Sequence, residues 1–135
     1  MGGALEEGAQ TMRHVVLIED EDNISEALRF ILVRDGWEVT THADGATALG
    51  VLRAHVPDVV ILDMMLPGRS GFEVLAAMRA DETLRAIPVL MLSARGQVRD
   101  REAAERAGAN MFIAKPFANA DILVAVQSLT NRSRE

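Results

Sequence analysis

Four short apolar runs, each ending on a residue able to do chemistry, constrain this chain more than anything else in it. Val15-Val16-Leu17-Ile18 leads into Glu19-Asp20-Glu21-Asp22, and Val59-Val60-Ile61-Leu62 into Asp63. Val89-Leu90-Met91-Leu92 leads into Ser93, and Met111-Phe112-Ile113-Ala114 into Lys115-Pro116. Continuous runs rich in β-branched residues, alternating with helical stretches, predict parallel strands buried on both faces. Trp37-Glu38-Val39-Thr40-Thr41 alternates apolar with polar instead and predicts an edge strand. The fold class is therefore α/β, a five-stranded parallel sheet, doubly wound, in three α/β/α layers. Parallel strands lay their carboxyl ends along one edge, where such sheets keep their ligand site. Carboxylates, a hydroxyl and an ammonium from distant stretches of sequence should meet there.

The connecting segments read as helices. The first follows an Asn23-x-x-Glu26 start resembling a capping box, carries Ile24, Leu28, Ile31 and Leu32 on one face, and stops near Asp35-Gly36. A second is expected to open at Asp44, turn Ala48, Leu49 and Leu52 inward, and end before Pro57. After the loop Leu66–Gly71, a third shows Phe72, Leu75 and Ala76 as its apolar stripe. The fourth, between Gln97 and Ala107, has Val98 as its only large apolar residue and so a weak packing face. The fifth, from Asn119 to Leu129, packs through Ile122, Leu123, Val126 and Leu129. Right-handed crossovers distribute these helices over both sheet faces.

The 135 residues suit one domain over 13–130, with a flexible lead-in at 1–12 and a polar tail at 131–135. Without cysteine there is neither a disulfide nor a thiolate metal site, and no apolar run approaches the length of a membrane span. The first twelve residues lack the apolar stretch of a secretory signal, which makes a cytoplasmic protein the expectation. A formal charge of −6 argues against direct nucleic-acid binding.

Glu19, Asp20 and Asp63 should crowd together. Two carboxylates about 4 Å apart repel by roughly 4 kcal/mol at an effective dielectric of 20, so they share protons or surround a cation. Oxygen ligands without His or Cys favour Mg²⁺, with Mn²⁺ able to substitute. Lys115 is placed to pair with a carboxylate or with an added anion. A carboxylate beside a divalent cation and an ammonium is equipped to attack phosphorus and form an acyl phosphate.

These motifs resemble the receiver domain of bacterial two-component response regulators. The resemblance covers essentially residues 13 to 130 and is carried by Val16-Leu17-Ile18-Glu19-Asp20-Glu21, Leu62-Asp63-Met64-Met65-Leu66-Pro67-Gly68-x-x-Gly71, Ser93-Ala94 and Lys115-Pro116-Phe117. It implies the flavodoxin-like strand order 2-1-3-4-5 and makes Asp63 the phosphoacceptor. Glu19, Asp20, Asp63 and the backbone carbonyl of Met65 become metal ligands. Ser93 becomes the switch hydroxyl, Ala94 the small residue giving access, Lys115 the phosphate contact and Phe112 the rotating aromatic. A cis peptide joins Lys115 to Pro116. The implied protein is not an enzyme but a signalling switch of a stand-alone, chemotaxis-regulator-like kind, or a fragment of a longer regulator. It takes its phosphoryl group from a sensor histidine kinase or histidine phosphotransfer protein. It then engages a downstream protein through the face of the fourth helix, fifth strand and fifth helix, without touching nucleic acid or membrane.

The chain departs from the family pattern in two places. Glu19 replaces the commoner Asp, a longer side chain suited to contact through water. The Asp-Asp-Tyr and last-helix arginine of the winged-helix regulators are absent at Asn110-Met111-Phe112 and Ala125-Val126-Gln127. Among rival readings, an aspartyl phosphatase needs Asp-x-Asp where Asp63-Met64-Met65 stands. An FMN site needs a hydroxyl- and glycine-rich loop where Glu19 to Asp22 would repel phosphate. A pseudo-receiver binding partners without phosphorylation stays open. Trp37 reads as core or edge packing. Met64 and Met65 read as loop packing, and Arg95, Arg99, Arg101 and Arg106 as a solvated or partner-docking face. His14, His42 and His55 are scattered without ligand spacing.

Overall fold

A computed structural model describes residues 12–94 and 98–134. The lead-in expected over 1–12 lies outside these residues except for Met12. Five strands alternate with five helices: β1 (His14–Ile18), α1 (Asp22–Arg34), β2 (Glu38–His42), α2 (Ala48–His55), β3 (Val59–Asp63), α3 (Gly71–Arg79), β4 (Val89–Ser93), α4 (Val98–Ala107), β5 (Met111–Ala114) and α5 (Asn119–Arg134). All strand pairs are parallel and the order is β2-β1-β3-β4-β5, the flavodoxin-like order.

Side chains on a strand alternate between its faces, and the apolar runs divide accordingly. Val16, Ile18, Val60, Leu62, Val89, Met91 and Phe112 pack beneath α2, α3 and α4. Val15, Leu17, Val59, Ile61, Leu90 and Leu92 pack beneath α1 and α5. Both layers are needed because β1, β3 and β4 are apolar on both faces; burying each Leu or Ile stabilises the fold by about 1.5–3 kcal/mol.

Several local expectations change. The Asn23-x-x-Glu26 capping box does not form: α1 starts at Asp22, with Glu21 at the N-cap making no side-chain capping bond. Gly36 does close α1, at φ +95°. Helix α2 starts at Ala48 rather than Asp44. The Asp44 carboxylate instead accepts the Ala46 N–H at 2.8 Å, while the Gly45 N–H donates to Pro67 O at 3.0 Å, which ties this segment to the β3–α3 loop. The buried stripe of α3 is Gly71, Val74, Leu75 and Met78; Ala76 is exposed and Phe72 half-buried. A true capping box sits there: Ser70 Oγ accepts the Glu73 N–H and Glu73 Oε1 accepts the Ser70 N–H. As expected, α4 packs weakly, with Ala104 as its buried apolar residue among the described side chains. Helix α5 runs past Leu129 to Arg134.

Candidate phosphoacceptor site

Register builds the site. Ile18 is paired with Leu62, so Glu19 and Asp63 emerge side by side at the ends of adjacent strands. Ser93 is paired with Ala114, so Lys115 follows directly beside the end of β4. Backbone bonds hold each strand end. The Glu19 N–H donates to His42 O at 2.9 Å, the Met64 N–H to Leu92 O at 2.9 Å, and the Lys115 N–H to Ser93 O at 2.7 Å.

The carboxylate oxygens of Glu19, Asp20 and Asp63 lie within 4.8 Å of one another. Glu19 and Asp63 are buried and Asp20 is exposed. Lys115 Nζ stands 3.0 Å from Glu19 Oε1, 3.2 Å from Asp63 Oδ2 and 3.2 Å from Glu21 Oε1, so one ammonium faces three acids. Glu19 Oε2 accepts the Glu21 N–H at 3.0 Å. Glu19 Oε1 is charge-paired with the lysine and accepts no hydrogen bond.

Burial, which disfavours the charged form, pushes the Glu19 carboxyl up to about 7. The bond from the Glu21 N–H and the nearby Lys115 ammonium pull the other way, and the Asp63 charge adds to the rise. Burial also opposes the Lys115 charge, but the close carboxylates of Glu19 and Asp63 win, and its affinity for the proton goes up. The cluster is thus short of positive charge. A buried carboxylate oxygen without a directed hydrogen bond, among oxygens alone, fits a hard cation such as Mg²⁺, held by one or two carboxylates and water.

The remaining expected residues fall around this cluster. Met65, two residues after Asp63, is exposed, and its N–H donates to Asp63 Oδ1 at 3.4 Å. Ser93 is buried at the end of β4, and exposed Ala94 follows it at the rim. The Lys115–Pro116 peptide is cis. Phe112 is buried under α4, its ring 5.0 Å from the Arg101 guanidinium carbon. Glu21 is not among the residues that the resemblance places in the site. Its carboxylate in fact turns away from capping and pairs with Lys115. Its place in the same acidic run was the available signal. Arg95 lies outside the described residues.

The family model for the response regulator receiver domain matches residues 15–127. The chain belongs to that family. The receiver domain is 39% identical over 119 residues to the transcriptional regulatory protein CseB of Streptomyces coelicolor, covering 88% of this chain and 50% of the relative. It thus spans about half the length of the curated relatives it matches. Among solved structures, the receiver domain of the sensor histidine kinase PA1611 from Pseudomonas aeruginosa superposes with a TM-score of 0.83 at 29% identity, covering 90% of this chain and 99% of that one. That structure has a magnesium ion coordinated in its active-site cleft. The chemotaxis response regulator CheY4 of Vibrio cholerae superposes with a TM-score of 0.83 at 30% identity, covering 88% and 99%. The receiver domain is thus that of a two-component response regulator. None of its described helices is long and apolar enough to cross a membrane.

Proposed function

We propose that this receiver domain is a cytoplasmic phosphorylation switch that accepts a phosphoryl group on Asp63 from a histidine kinase or histidine phosphotransfer protein. One observation carries the reading. The Glu19, Asp20 and Asp63 oxygens converge within 4.8 Å, with Lys115 Nζ at 3.0–3.2 Å from Glu19 and Asp63. An Asp63 carboxylate oxygen attacks phosphorus; the P–O bond forms as the P–N bond to the donor imidazole breaks, and the departing nitrogen keeps the electron pair. Lys115 draws a phosphoryl oxygen toward its ammonium. Glu19, Asp20, Asp63 and the Met65 carbonyl would hold Mg²⁺, or Mn²⁺ in its place. Bound there, the ion supplies positive charge to the phosphoryl oxygens.

The donor approaches over an apolar groove of about 520 Å³ that opens beside Lys115 and is lined by Ile24, Ala27, Ala94, Pro116 and Phe117. After transfer, the new dianion and its acceptor oxygens attract the Ser93 hydroxyl through Ala94's open rim. Phe112 turns into the space released beneath α4. The response reaches a target protein at the α4–β5–α5 face, where Arg99, Arg101 and Arg106 are exposed.

Labelling with acetyl phosphate and Mg²⁺ tests this. The wild-type chain should gain one hydroxylamine-labile phosphoryl group, and Asp63→Asn should fold and gain none. Labelling of Asp63→Asn at wild-type level would move the chemistry elsewhere, with Asp20 next in line. Unlabelled wild type with every donor would point to a pseudo-receiver.

A further inference from the structure

The fold brings two of the three scattered histidines together, at the sheet edge opposite Asp63. His14 opens β1 and His55 closes α2; their ring centroids lie 5.2 Å apart with planes at 88°. Two imidazoles on one ion, each nitrogen about 2.0–2.1 Å from it, place their ring centres about 5 Å apart at a tetrahedral angle. His14 Nε2 is hydrogen bonded to Thr40 Oγ1 at 2.8 Å. With Nε2–H as donor, Nδ1 holds the lone pair. Such outer hydrogen bonds fix the tautomer and direction of a metal-bound imidazole.

The surroundings favour a cation. Asp58 Oδ2 accepts the His14 N–H at 2.8 Å, and the Asp58 N–H donates to His14 O at 2.8 Å, which seats a carboxylate at this edge. His55 stands at the carbonyl end of α2, where the helix dipole is negative. The nearby arginines are engaged elsewhere: Arg13 with Thr130 at 2.8 Å and over the Trp37 ring, Arg53 with Asp81 at 2.8 Å. His55 is exposed and His14 half-buried, so an ion has access.

We propose that His14 and His55 bind a divalent transition-metal ion of the zinc class, with water completing its shell. Imidazole nitrogen suits such ions, whereas the all-oxygen pocket at Asp63 suits Mg²⁺. A bound ion would tie the end of α2 to the start of β1.

The untagged full chain, saturated with Mg²⁺, should take up one equivalent of Zn²⁺ in calorimetry, with both imidazoles shifting in nitrogen-detected NMR. His14→Gln and His55→Gln should each weaken Zn²⁺ at least tenfold, while His42→Gln leaves it unchanged. Acetyl phosphate labelling of Asp63 should be the same in all three. Because His55 is exposed, its variant folds even if His14→Gln does not. Unchanged Zn²⁺ affinity in His55→Gln would overturn the proposal. So would a Zn²⁺ response confined to the acidic pocket, which would make the ring pair an aromatic contact only.

Discussion

Glu19 sets the electrostatic condition of the pocket at the scale of single residues. Its carboxyl titrates near 7 because burial penalises the anion. A cation binding there must displace that proton, so Mg²⁺ affinity should rise with pH through about 7. Calorimetry in two buffers of different ionisation enthalpy should show proton release at pH 6, and Glu19→Gln should remove that release. Asp20→Ala should weaken Mg²⁺ more than Glu19→Ala, since the shorter side chain is the better direct ligand; equal affinities for wild type and Asp20→Ala would reject its assignment. Gly71 matters for a steric reason. A Cβ there would overlap Asp63 O and lie 2.9 Å from Met64 Cα. Gly71→Ala must therefore push the α3 start away from the Asp63 backbone. A stability loss of about 1–3 kcal/mol is expected from such overpacking, together with slower labelling of Asp63. An unchanged melting temperature would show that the loop yields freely.

At the scale of elements, the helix ends carry the local tension. Val56 closes α2 at φ +40°, a left-handed conformation unfavourable for a β-branched residue. Val56→Gly should raise stability by roughly 1 kcal/mol in urea titration, relieving strain of about that size. Arg79 does the opposite work at the end of α3. Its guanidinium donates to Gly108 O at 2.8 and 3.1 Å, Ile87 O at 2.9 Å, Arg85 O at 3.0 Å and Asn110 Oδ1 at 3.0 Å. These bonds fasten the entries to β4 and β5 to the end of α3. Arg79→Ala leaves the carbonyls of Gly108 and Ile87 without these bonds and should destabilise by about 2–3 kcal/mol. A loss below 0.5 kcal/mol would mean that water replaces the clamp.

For the whole molecule, the same pocket links function to stability. The folded chain keeps the Glu19 proton up to about pH 7, whereas its ordinary value is 4.5. The stabilising contribution is therefore complete below 4.5 and is lost as pH rises to 7, on the order of 2–3 kcal/mol in the absence of divalent ions. Saturating Mg²⁺ should restore it at pH 7 and raise the melting temperature. Thermal scans at pH 5 and pH 7.5, with EDTA or Mg²⁺, measure this directly. A melting temperature higher at pH 7.5 in EDTA would contradict it.

Much of this was legible in order of residues alone. The apolar runs of β1, β3 and β4 marked parallel strands buried on both faces, the alternating run marked β2 as an edge, and the polar residues ending each run marked one rim as the site. The fourth run, expected to be buried alike, is β5 at the opposite edge and mostly half-buried. Those features are local: a period of two or 3.6 residues states which face is apolar, whatever the partner. The tertiary structure decided what depends on distance between elements. Sheet order and register placed Glu19 beside Asp63, drew Glu21 from its cap onto Lys115, and replaced the expected cap at Asn23 with a start at Asp22. The same register met His14 with His55 and let Arg79 reach Gly108. No spacing in sequence encodes such pairs, because crossovers of different length bring them together and only the packed sheet fixes their separation.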